Sequence, residues 1–184
     1  VENLLEVVQF VHVISFVFMS IPLFNLIVVN ERAALNLPFN YHVDRYMENI
    51  IRKGAMRCFS FQATVMVTGL VLLAFGSLGI DALWTSWVIM AKAGLLVVLM
   101  VLLSYVHFSV QPRIDSLLAS LTADSAVPQE LVSSVKPLRV RRKNLATLCL
   151  FLVITEIIFG LQVYSTLNPF LTITLIILAG LFAL

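Results

Sequence analysis

Stretches at about 7–29, 57–79, 84–109 and 145–165 are each continuously apolar over roughly 20 residues or more, and that continuity decides the fold class first. An α-helix rises about 1.5 Å per residue, so a run of this length crosses a hydrocarbon layer of about 30 Å. A further apolar run, 170–184, adds a fifth span. Strands of a membrane barrel would alternate in polarity over about ten residues, and these runs do not. Backbone polar groups in lipid must be satisfied within the segment, which leaves helices. The expectation is therefore all-α: an integral membrane helical bundle of four core transmembrane helices plus a fifth, one transmembrane domain over 1–184. Composition agrees, because 12% charged residues against 60% hydrophobic ones cannot cover a water-facing globule. The first run is longer than a signal-peptide core and is expected to be retained as a span.

The basic residues fix an expected orientation. Arg32, Arg45, Arg52, Lys53 and Arg57 surround the first connection, and Arg113, Lys136, Arg139, Arg141, Arg142 and Lys143 surround the third. One span separates the N-terminus from the first connection, so both basic regions share a side. The positive-inside rule makes that side the cytoplasm and puts the N-terminus outside, in a membrane of the bacterial inner (plasma) type. The short link from Gly79 through Asp81 to Trp84 makes the second and third spans antiparallel neighbours, with Trp84 and Trp87 marking an interface. Residues 110–144 are expected to form a cytoplasmic loop. Its apolar-periodic Ile114, Leu117, Leu118 and Leu121 suggest a helical extension lying on the membrane surface; its basic end, Arg139 to Lys143, reads first as a topology determinant, with contact to anionic lipid heads as the alternative.

Ionisable residues inside apolar spans are costly and are functional candidates by default. His12 and Lys92 lie a similar number of residues inside the outer ends of two spans running the same way, and Glu156 lies only slightly deeper in the fourth. An imidazole, an amine and a carboxylate are thus expected at one level of the outer leaflet. His12 interrupts an apolar stretch with no sequence neighbour to pair with, so its ring needs a partner across helices, a water or a metal. The plainer readings are a snorkelling Lys92, a neutralising Lys92–Glu156 pair and an interfacial His107. His107 lies about 22 Å further toward the cytoplasm than Lys92, near Arg57 and Tyr105. His42 reads as ordinary surface.

Met19, Met66 and Met100 fall near mid-bilayer, where thioethers at one level would suit Cu(I), although core filling is the ordinary use of methionine. Pro22 and Asn25 mark a place where the first span can kink and expose carbonyls. Cys58 and Cys149 have no metal-type spacing around them and read as buried free thiols. The sequence contains no P-loop, dinucleotide fingerprint or nucleophile triad, and orientation accounts for its basic runs without nucleic acid.

Val11-His12-Val13 in the first span, Met47-Glu48-Asn49 before the second, and Ala91-Lys92-Ala93-Gly94-Leu95-Leu96 followed by Tyr105-Val106-His107 in the third carry a resemblance. Over about residues 8–165 the chain is similar to the small haem-associated membrane proteins related to the J-type protoporphyrinogen oxidase, an outline shared by the copper-resistance D membrane family. It departs from that pattern in having Met19 and Pro22 where an aromatic residue and a glycine usually follow the first-span histidine, and in its fifth span.

The resemblance implies a haem-associated site at His12 and Lys92, with haem b as cofactor and His12 as the metal ligand. Lys92 would meet a propionate, ligate the iron or carry a proton, and Glu156 would balance charge or relay a proton. His107, in the other leaflet, would allow a second haem. The function expected first is a haem-b-associated membrane subunit in electron transfer, either within a larger complex of membrane subunits or with quinone. The alternatives are a non-catalytic accessory subunit, a porphyrinogen-oxidising enzyme of oxidoreductase type and a copper transport protein.

Overall fold

A computed structural model describes residues 2–34, 40–119, 121, 128–165 and 167–183, and side chains over the same residues except 2 and 32–34. Every element among them is helical. They are α1 (Glu2–Ala34), α2 (Tyr41–Phe75), α3 (Ala82–Thr85), α4 (Trp87–Tyr105), a π-helical turn (Val106–Val110), α5 (Gln111–Ala119), α6 (Gln129–Tyr164) and α7 (Pro169–Ala183). Four helical segments are long and apolar enough to cross a membrane: α1, α2, the run from α4 through α5, and α6. The chain is an all-α integral membrane protein. The fifth apolar helix, α7, has 15 residues, about 22 Å, and is shorter than a full crossing needs.

Local chemistry sets the helix ends. Asn40 caps α2 by accepting the Val43 N–H on Oδ1, while its own N–H donates to the Asp44 carboxylate at 2.9 Å, a reciprocal cap. α2 stops at Gly76, and Gly79 at φ 76° makes the turn a side chain would resist before the short α3. Trp84 and Trp87 are both exposed at this end. Asn168 caps α7 through the Phe170 N–H, with Pro169 opening its first turn. Pro22 lies inside α1 and Pro137 inside α6, each removing one backbone donor without ending its helix.

α1 packs on α2 and α6, and α4 packs on α6 and α2, so the four spans close into a ring; α7 lies against α6. Met19, Leu99 and Val153, all but inaccessible, fill the interior with Phe16, Val65 and the thiols Cys58 and Cys149. The apolar side chains that remain exposed, such as Phe10, Val67, Val101 and Phe182, point away from the ring, as lipid solvation requires.

Two expectations change. Residues 110–144 are not a loop over most of their length, because α5 and the first sixteen residues of α6 (129–144) occupy them. The apolar stripe expected on the membrane surface is a protein core. Ile114 is fully buried, and Leu118 and Leu121 pack with Val110 and Val135 between α5 and α6, with Leu117 at their edge. The first connection also shortens, since α2 begins at Tyr41 and takes in Arg45, Arg52 and Lys53. The bundle therefore has two storeys. α2 and α6, with 35 and 36 residues, are each about 53 Å long, some 20 Å more than a hydrocarbon core.

Candidate functional site

His12 is held by α2. Its Nδ1 lies 2.8 Å from Thr68 Oγ1, with the Val65 carbonyl also beside the ring. The Thr68 hydroxyl has one hydrogen, and the Thr64 carbonyl one turn back takes it at 2.6 Å. With the hydrogen placed there, Thr68 accepts from His12, an assignment that puts the ring proton on Nδ1 and leaves the Nε2 lone pair free. Gly69 makes the close approach possible, because a Cβ there would come within 3.2 Å of His12 Cε1. The ring meets Phe16 edge-on, centroids 5.3 Å apart.

Phe16 joins His12 to Lys92. The Lys92 ammonium sits 5.4 Å from the Phe16 centroid, a cation–π contact from α4 to α1. Its other side faces Gly160 of α6, where a Cβ would stand 3.1 Å from Nζ. Glu156 lies one turn from Gly160 on the same face of α6 and is almost wholly buried. Among the described residues no ion pair within 4.0 Å joins Lys92 to Glu156, although their charges act on each other, and Glu156 Oε1 has no hydrogen-bond partner. The ring thus gathers one imidazole, one amine and one carboxylate from three helices, with Thr68 of the fourth holding the imidazole. Lys92 is turned into the bundle and does not snorkel past the helix end.

His107 stands apart. It lies in the π-helical turn, against Phe59 and Phe108 at centroid distances of 5.6 and 4.9 Å, and its buried Nδ1 has no partner among the described residues. A cavity of about 20 Å³ beside it, with Pro22, Gly54, Cys58 and Gln111 in its wall, has room for about one water. The methionine level does not converge: Met19 is sealed in the core while Met66 is 41% exposed on the outer face. Among the described residues no three His, Cys, Asp or Glu side chains come together as a metal site.

A second polar cluster, which sequence reasoning missed, closes the other storey. Arg142 is 1% exposed, and its guanidinium reaches three helices. Nη1 donates to Glu48 Oε2 and Gln111 Oε1, both at 2.6 Å; Nη2 donates to Asn30 Oδ1 at 2.9 Å and Glu48 Oε1 at 3.2 Å. Arg139 adds bonds to Asp44 at 2.7 Å and to Glu48 at 3.0 Å. These two arginines are turned into protein and not toward lipid heads: two cations neutralise two anions, Asn30 and Gln111 take further bonds from Arg142, and only its buried Nε is left without a partner among the described residues. The signal lay in the spacing, since Asp44 and Glu48 are four apart on one face of α2, and Arg139 and Arg142 three apart on one face of α6.

Comparison with protein-family models, with curated proteins and with solved structures finds no match to this chain.

Proposed function

We propose that this integral membrane protein works in electron transfer through haem b bound at His12, with its N-terminus outside and its basic storey toward the cytoplasm. The observation that carries this reading is the 2.8 Å contact between His12 Nδ1 and the Thr68 hydroxyl: with the ring proton on Nδ1 it leaves Nε2 deprotonated and oriented, the state a histidine needs in order to bind a metal. The residues fit such a group. His12 would supply the axial nitrogen, and Lys92, a cation on an apolar wall, suits a propionate. A bound haem supplies a one-electron carrier. The chain's own part is to orient the ring through Thr68, to leave it room through Gly69, and to keep the Lys92 amine and the Glu156 carboxyl group at the same level.

His107 is about 22 Å from this level along the helix, so a haem at His12 takes one histidine from this chain. Quinone or neighbouring membrane subunits are the electron partners that fit a lipid-embedded site. The test is a reduced-minus-oxidised spectrum of the purified protein. A b-type band in stoichiometric amount, lost in His12→Ala protein that still folds, is the expected result; preparations of full purity without the band refute the reading.

A further inference from the structure

Glu156 is buried to 1% exposure, and one of its carboxyl oxygens meets no donor among the described residues. A carboxylate at that depth needs its charge answered by direct hydrogen bonds or by a cation in contact. Glu48 shows the answered case in the same protein, with two arginines and a glutamine on its two oxygens. Glu156 has no such set. Its neighbouring cation, Lys92, is seated elsewhere: Nζ lies over the Phe16 ring and against Gly160, and it does not come within 4.0 Å of the carboxylate as an ion pair. The other titratable group facing this level, His12 from α1, is engaged at Nδ1 by Thr68, and its ring makes no hydrogen bond to Glu156 among the described residues. Beside Glu156 itself, Thr155 turns its hydroxyl back to the Phe151 carbonyl at 2.9 Å.

We propose that Glu156 is a proton-binding site within the membrane, a carboxyl group that holds its proton at neutral pH. The proton removes the charge that the site leaves unanswered. The bound proton is exchangeable by simple transfer: the carboxyl O–H breaks, its electron pair stays on Glu156, and the proton passes to a water, leaving a carboxylate beside the Lys92 cation. Proton binding here stands without a cofactor, so it is separable from the haem reading and is tested on protein that need carry no haem.

The measurement is infrared absorption of the full-length protein in lipid vesicles at neutral pH, with glutamate labelled by carbon-13 at the side-chain carboxyl. The expected result is a carboxylic-acid carbonyl band that moves in heavy water, moves with the glutamate label and is absent from Glu156→Gln protein. Lys92→Met keeps the band, because removing a cation favours the neutral acid further. The label experiment needs only the unaltered chain, so it stands if Glu156→Gln fails to fold. Three results overturn the proposal: no acid band in the unaltered protein, a band that appears only in Lys92→Met, which would make Glu156 an ionised partner of Lys92, or a band that survives Glu156→Gln.

Discussion

Replacing Arg142 by methionine keeps the approximate volume and removes the hub of the charged storey. Four hydrogen bonds disappear, two to Glu48 and one each to Gln111 and Asn30. Glu48 keeps Arg139 and Gln111, so its charge is partly answered, while Asn30 Oδ1 and Gln111 Oε1 lose their donor inside protein. Removing one partner of a buried ionic set costs roughly 3–5 kcal/mol. That is a large part of the 5–15 kcal/mol that typically holds a domain together, and for a chain of this size it corresponds to a fall in Tm of roughly 6–20 °C. Arg142→Lys should fall between, since an ammonium keeps the charge and loses the fork. Arg113→Met, at an exposed position, should stay within about 0.5 kcal/mol of the parent. The assay is thermal unfolding in detergent micelles followed by circular dichroism. Adding Glu48→Gln to Arg142→Met should cost less than the sum of the two single changes, because the carboxylate left short of a partner is gone. Arg142→Met protein as stable as Arg113→Met protein would refute the claim that this guanidinium ties the helices together.

Two further outcomes are expected. Ile114→Ala should destabilise the protein by roughly 2–5 kcal/mol in the same assay, because Ile114 is fully enclosed between α5 and α6 and would be nearly silent on a lipid surface. Cys58 and Cys149 should react with a membrane-permeant maleimide only after unfolding, since both thiols are enclosed and reactivity follows the accessible thiolate; rapid labelling of the native protein by mass spectrometry would contradict their burial.

Run length made the helical membrane class legible, because hydrocarbon thickness is a strong constraint on a one-dimensional pattern. Depth counting also brought His12 and Lys92 near each other, since residues advance along a helix by a constant rise. What a depth count lacks is azimuth: nothing in the apolar runs says which way a side chain turns around its helix. Thus Met19 and Met66 share a level but face opposite ways, and nothing in the runs marks Thr68 and Phe16 as the residues that seat the imidazole and the amine, although Gly69 and Gly160 are legible as places of close helix approach. The basic stretch from Arg139 to Lys143 failed for a different reason. Positive residues near a span serve equally well to orient a chain or to pair with buried acids, and the partners, Asp44 and Glu48, lie more than 90 positions away in sequence.

α2 carries Glu48 near one end and Thr68 near the other, twenty residues and about 30 Å apart, with no proline between them. A rod of that kind transmits tilt without bending. The arginine clasp on Glu48 and the Thr68 seat of His12 are thus two fixed points on one unbroken helix. The position of the imidazole along the bundle is therefore set by the same rod that the buried arginine anchors at its other end.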